Sequence, residues 1–312
     1  MPTDCLVKYN KLYLYCNVDN YLIVANPRAG RRNSNPAIKK IRSFFDRKGL
    51  QYELQLTTKA RNAKIVVEEH FTPYFTHVIM AGGDGTINEG LNGLPDFDRP
   101  FGVIPCGSGN DFAKYIDIGH HLEDHLETVI SNQILEVDVG LCNDRRFVNG
   151  VGLGFDGQIV YNMENSNTWI HGHAAYYYHV IRILGSYKER RLRLVIDGKQ
   201  YVEDILILIM GNGSTFGGGF KLAPQADITD GLLSICIVRK VAPLMRFFYI
   251  NRMKSGTHAT VPGVEFMKAR EVYIEEADIM GQIDGELTDP LPLHLRMAKE
   301  KLKVLACGVT MP

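Results

Sequence analysis

The stretch that most constrains this chain is HVIMAGGDGTINEGLNGL, residues 77–94. A short apolar run ends at Ala81, glycines surround Asp84, and an apolar-periodic run follows. Gly82, Gly83 and Gly85 permit positive φ and let a ligand reach the main chain. Bare amides at a strand–helix junction form an anion cradle, and the helix dipole adds to it. Phosphate is the natural guest. Thr86 stands where an N-cap would, and Glu89 three residues on would complete a capping box. Ile87, Leu91 and Leu94 then share one helical face. The bland alternative is a tight turn in which Asp84 only bonds backbone. Two glycines ahead of the Asp-Gly pair, placed at a strand end, favour phosphate.

The same junction recurs. IPCGSGNDFA (104–113) reads as strand, glycine turn and polar cluster, with a helix opening near Asn110. Ser108, Asn110 and Asp111 offer caps and metal-compatible oxygens. ANPRAG (25–30) follows the apolar run YLIVA. Between these turns, SNPAIKKIRSFFDRKG (34–49) carries Ile38, Ile41, Phe44 and Phe45 at helical spacing, with Pro36 early and Gly49 as a stop. QYELQLT and FGVIPC read as strands, and NAKIVVEEHF reads as a helix. Alternation of this kind implies a mostly parallel sheet covered on both faces, with a ligand crevice at the strand ends.

After about Val137 strand-like runs dominate: ILEVDVGL, RFVNGVGL, RLRLVID, DILILIMGN, GLLSICIV, REVYIEEA and LPLHLRM. Two helices, roughly His173–Tyr187 and Pro243–Lys254, interrupt them. This half reads as an antiparallel β domain with helical insertions. The final run KLKVLACG is a strand whose home domain the pattern leaves open. No Walker A pattern occurs, which excludes a P-loop NTPase. GLGFDG (152–157) matches GxGxxG, but no clear amphipathic helix follows it, so a Rossmann reading is rejected.

Composition closes other routes. Lys+Arg and Asp+Glu are both 35 in 312 residues, so no bulk positive charge points to nucleic acid. Local basic clusters occur at Arg28, Arg31 and Arg32, and at Lys188, Arg190, Arg191 and Arg193. The six cysteines form no CxxC pair and read as reduced thiols. No apolar run nears the ~18 residues of a spanning helix. Asp4, Lys8 and Lys11 break the N-terminus, which lacks a signal-peptide core. A cytoplasmic protein is expected, with peripheral membrane contact left open. NTWIHGHAAYYYHVIRILGSY and PLMRFFYINRMK mix aromatic and basic residues, as a membrane-surface segment would. An amphipathic helix packed on the sheet is the preferred alternative for both. His171 and His173, and His120, His121 and His125, lack acidic or thiol partners at ligand spacing, so zinc is not expected.

NPRAG, GGDGTINE, GSGNDFA, FVNGVGLGFD, GGGFKLAPQADITDGLL and IDGE, in this order, resemble the motifs of the diacylglycerol kinase catalytic-domain family, in particular its soluble bacterial branch. The resemblance runs from about Asn26 to the end. It implies an N-terminal α/β domain like that of NAD kinases (residues 21–137, with a returning strand at about 298–312) and a C-terminal antiparallel β-sandwich domain (138–297). Residues 1–20 fall outside it, and their role is left open.

The resemblance further implies ATP at Asn26, Pro27, Arg28, Ala29 and Gly30 and at Gly82, Gly83, Asp84, Gly85, Thr86, Ile87 and Asn88. Thr57, with Thr58 as the alternative alignment, and Ser108 would be further nucleotide contacts. Asp84 would hold catalytic Mg²⁺ or stand beside the γ-phosphate, and Asp111 would orient metal-bound water. Glu286 would be the general base. A second, structural Mg²⁺ would lie on Asp227, Asp230 and Leu232, although TDGL also reads as a hairpin turn. The expected partners are ATP, Mg²⁺ and a lipid at a membrane surface, with no nucleic acid; a homodimer is the expected assembly if there is one. The implied activity is phosphorylation of diacylglycerol to phosphatidate. The alternatives are another lipid alcohol (a sphingoid base, ceramide, phosphatidylglycerol or monoacylglycerol), NAD, or an idle nucleotide-binding regulator.

Overall fold

The computed structural model describes residues 19–30, 34–58, 62–166, 173–275 and 277–308. Residues 1–18, Arg31, Arg32, Trp169, His171 and 309–312 lie outside the described residues, as do Cys5 and Cys16. The first unit runs β1 (Asn20–Ala25), α1 (Asn35–Lys48), β2 (Gln51–Leu56), α2 (Ala63–His70), β3 (His77–Gly82), α3 (Asp84–Gly93), β4 (Phe101–Pro105), α4 (Leu122–Ile130) and β5 (Ile134–Val137). The second runs β6 (Gly140–Cys142), β7 (Arg145–Phe147), β8 (Gly150–Gly154), α5 (Phe155–Glu164), α6 (His173–Leu184), β9 (Arg190–Ile196), β10 (Lys199–Gly211), β11 (Leu233–Arg239) and α7 (Pro243–Ser255). It continues with β12 (Val264–Ala269), β13 (Glu271–Ile274), β14 (Gly281–Ile283), β15 (Glu286–Leu287) and β16 (Leu293–Met297), and β17 (Leu302–Leu305) follows.

The first sheet has the order β2-β1-β3-β4-β17-β5, parallel from β2 to β17, with β5 antiparallel. Strands β1 and β3 are nearly continuous apolar runs because helices cover both faces. Leu22, Val24, Val78, Met80 and Val103 pack towards α2 and α3. Tyr21, Ile23, Ile79, Ala81 and Ile104 pack towards α1 and α4. Parallel strands end on one edge, so the turns after β1, β3 and β4 come together there. Asn26 N–H donates to the Ala81 carbonyl (2.9 Å) and Cys106 N–H to that of Gly82 (2.8 Å).

Among the described residues the second unit has eleven strands, antiparallel throughout. The long strand β10 pairs with β9 over its first half and with β8 and β11 over its second, so the strands fold into two layers. Leu192, Leu194, Val272 and Leu295 from one layer meet Val151, Leu208, Ile235 and Ile283 from the other in a single core. The outer face of β10 and β11 is covered by α5, α6 and α7. Among the described residues no helix is long and apolar enough to cross a membrane.

Three local readings change. No helix opens at Asn110. That residue has φ 51, and its side chain accepts from Gly107 N–H and donates to the Gly107 carbonyl, closing the loop on itself. A short 3₁₀ turn at Phe112–Lys114 follows, and α4 begins only at Leu122. Second, GLGFDG does open a helix, α5. Its Asp156 and Gly157 are buried along with its apolar residues, which erases the amphipathic pattern. The sheet beside it is antiparallel, so it remains no Rossmann unit. Third, α3 starts at Asp84 with Gly83 as N-cap, ahead of the expected position. Thr86 therefore lies inside the helix and accepts from Asn26 Nδ2 (3.0 Å), while Glu89 caps α2 by accepting Ala63 N–H (2.8 Å).

Candidate active site

The three turns and the second unit enclose a polar cleft of about 440 Å³. Asn26, Ala29, Gly30, Gly83, Asp84, Gly85 and Thr86 line it from β1 and β3, and Ser108 and Asp111 from β4. Since α3 begins at Asp84, the amides of its first turn have no acceptors within the helix and face this space. The turns touch backbone to backbone. A Cβ on Gly107 would lie 2.5 Å from Gly83 Cα, so only glycine lets the β3 and β4 loops sit this close.

The opposite wall comes from the second unit. Asp284 and Gly285 take φ 47 and 88, a two-residue hairpin turn of the primed kind, and Glu286 follows at once on β15. Glu286 Oε2 receives Arg145 Nη2 at 2.5 Å. A Cβ on Gly85 would stand 3.8 Å from Glu286 Oε1, so this carboxylate faces the glycine turn across the cleft. Asp284 is buried and accepts from the N–H groups of Val148 (2.9 Å), Asn149 (3.0 Å) and Gly150 (2.8 Å) and from Asn88 Nδ2 (2.8 Å). Burial raises its pKa, and these donors pull the other way.

Asp84 and Asp111 form the charged centre. Burial, then the charge of Asp111, pushes the pKa of Asp84 up to about 6, against the N–H of Phe112. Asp111 pairs with Lys114 Nζ (2.6 Å) and accepts Gly218 N–H from the second unit (2.8 Å). A carboxyl with a raised pKa binds its proton more tightly in the folded state than in the unfolded one. It therefore favours folding at low pH, and that advantage fades as pH rises from 3.8 through about 6. Without ligand, Asp84→Asn should raise the melting temperature at about pH 7.5 and change it little near pH 4. An equal change at both pH values would count against this origin.

The family models agree with this layout. One described as the diacylglycerol kinase catalytic domain matches residues 20–142, and one described as the YegS C-terminal NAD kinase beta sandwich-like domain matches 149–306. A diacylglycerol kinase of Bacillus subtilis (strain 168) is 31% identical over 299 residues, covering 91% of this chain and 98% of that one. The chain belongs to the diacylglycerol kinase catalytic-domain family, a family of lipid kinases. A diacylglycerol kinase of Staphylococcus carnosus (strain TM300) is 29% identical, covering 90% and 93%. A crystal structure of a diacylglycerol kinase from Bacillus anthracis str. Sterne shares the fold, with TM-score 0.71 at 21% identity over 93% of this chain and 97% of that one.

Not every residue implied by the family motifs reaches the cleft. Pro27 and Arg28 belong to the first loop but do not line the wall. Gly82 ends β3, where a Cβ would strike Thr86 at 2.5 Å. Ile87 is fully buried in the core. Asn88 is buried and ties α3 to Asp284. Thr57 is buried at the end of β2, donating its N–H to Ala25 (2.9 Å), and Thr58 is held by Asn62. Asp227, Asp230 and Leu232 occupy the loop before β11, away from the cleft. Conversely, Glu89, Asp156, Tyr176, Gly217, Gly218 and Gln282 line it without having been assigned. Glu89, Asp156, Gly217 and Gly218 lie within the quoted motifs, whereas Tyr176 and Gln282 lie outside them.

Proposed function

We propose that this protein transfers the γ-phosphate of ATP, with Mg²⁺, to the free hydroxyl of diacylglycerol, giving phosphatidate. One observation carries the reading: the polar cleft abuts an apolar chamber, and Asp156 and Tyr176 line both. The chamber lies between the helices and the sheet, walled by Phe155, Ile159, Val180, Leu184, Phe220 and Met253 among others. Its free space is about 50 Å³, too little for an acyl chain unless its wall moves. A phosphate cleft joined to an apolar chamber suits a lipid alcohol, and the names of the relatives favour diacylglycerol.

The chemistry asks for positioning and charge neutralisation more than covalent work. ATP phosphates lie on the amides of Gly83–Thr86. Glu286 accepts the hydroxyl proton as that oxygen attacks the γ-phosphorus, and ADP leaves. Arg145 keeps the carboxylate in place. Mg²⁺ suits Asp84 and Asp111, because two carboxylates that oppose each other's ionisation beside phosphates are the donor set a hard cation needs. When bound, it neutralises phosphate charge. A second ion would lie at the Asp227–Leu232 loop, with Asp230 the one side chain it needs. It would have to displace the Lys268 ammonium from Asp230, as the first would that of Lys114 from Asp111.

Labelled ATP with a lipid panel in mixed micelles tests the proposal. Label is expected in phosphatidate, above that in sphingoid base, ceramide, phosphatidylglycerol or monoacylglycerol. Label in NAD and in no lipid would overturn it, and ATP binding without turnover would make the protein an idle regulator.

A further inference from the structure

Helices α6 and α7 lie side by side and antiparallel over the sheet. Phe247, early in α7, lies 3.5 Å from where a Cβ on Gly185 would stand, just past α6. Lys254, late in α7, sits over the Tyr177 ring at 5.3 Å, early in α6. Their inner faces wall the apolar chamber through Val180, Leu184, Ile250 and Met253. Their outer faces are apolar too. Leu244 is 72% exposed and Phe248 67%, with Met245, Phe247, Tyr178 and Ile181 also exposed. A helix apolar on both sides is normally buried on both sides, and a monomer rarely leaves such a block to water.

Charge says what covers it. From Gly231 to Val264 the sequence holds no Asp or Glu, and neither does His173–Lys188. Arg239 and Arg246 in this stretch are paired with glutamates. Lys240, Arg252 and Lys254, with Arg182 on α6, are exposed. In a chain with equal numbers of acids and bases, this is a segregated cationic face around an apolar centre. A two-fold contact with a second copy would set these cations against themselves. An anionic bilayer takes both the apolar side chains and the positive charge.

We infer that the outer face of α6 and α7 docks on anionic phospholipid bilayers, with Leu244 and Phe248 inserted among the acyl chains. The inference rests on the lipid-kinase reading for the origin of the substrate. It sets the bilayer one helix thickness from the chamber that would take the acyl chain.

The test is co-sedimentation of the full chain with phosphatidylglycerol and phosphatidylcholine vesicles. Wild type is expected to bind the anionic vesicles more tightly. Leu244→Glu combined with Phe248→Glu should weaken that binding about tenfold or more, since two inserted apolar side chains are lost. Both positions are exposed, so melting temperature and turnover of a monomeric short-chain diacylglycerol should not change. Unchanged vesicle binding in the double variant, or none in wild type, would overturn the inference. So would a wild-type dimer that the variant dissolves while vesicle binding persists. Face-dependent vesicle binding with no lipid phosphorylated would leave the docking surface standing and remove the substrate reading.

Discussion

Glu286→Gln is expected to lower kcat by about 10²-fold or more while leaving the KM for ATP and the melting temperature close to wild type. The substitution is nearly isosteric. The glutamine oxygen still accepts from Arg145, which holds the native carboxylate at 2.5 Å, so the side chain keeps its place opposite Gly85. What disappears is the capacity to take the hydroxyl proton. A residue that only shaped the turn would show the reverse pattern, with stability moved and kcat little changed. Steady-state kinetics with a short-chain diacylglycerol, beside thermal melts, separates the two. A kcat near wild type would remove Glu286 from the role of base.

The α/β unit was legible because its signals are local. Buried parallel strands such as YLIVA and HVIMA are short and almost wholly apolar, and the helix between them carries its own period, proline and glycine stop. The GGDGT turn was legible for the same reason. Capping went wrong by the same local reasoning. Thr86 and Glu89 have the right types and spacing, but α3 begins on Asp84 once Gly83 takes an extended conformation, and both side chains serve neighbouring elements. Helix α5 leaves a weak amphipathic trace because Asp156 and Gly157 are buried with its apolar residues.

The second wall of the cleft could not be read locally at all. Asn88 and Asp284 are 196 residues apart, Asp111 and Gly218 107, and Arg145 and Glu286 141. None of these pairs leaves a periodic trace. The motif resemblance supplied Glu286 but not what positions it. It also named Ile87 and Thr57, whose side chains are buried and do not line the cleft.

Asp284→Ala should be the most damaging single change to folding outside the apolar core. The ionised carboxylate has about four lone-pair sites. Three backbone N–H groups and Asn88 Nδ2 engage both of its oxygens. Truncation leaves buried donors without acceptors, at about 1–3 kcal/mol for each that cannot find water. A total loss of at least about 3 kcal/mol is expected, readable as a lower urea midpoint. Asp284→Asn keeps one acceptor oxygen and should lose less. Turnover should fall with Asp284→Ala under conditions where the variant is still folded, because the bond to Asn88 ties α3 to the hairpin that carries Glu286. Combining it with Asn88→Ala should cost less than the two single losses added together, by about 0.5–3 kcal/mol, as for residues sharing one bond. Strict additivity, or an Asp284→Ala variant with wild-type kcat, would mean that the hairpin is held in register by sheet pairing alone. The glycine turn and the base would then be aligned without this aspartate.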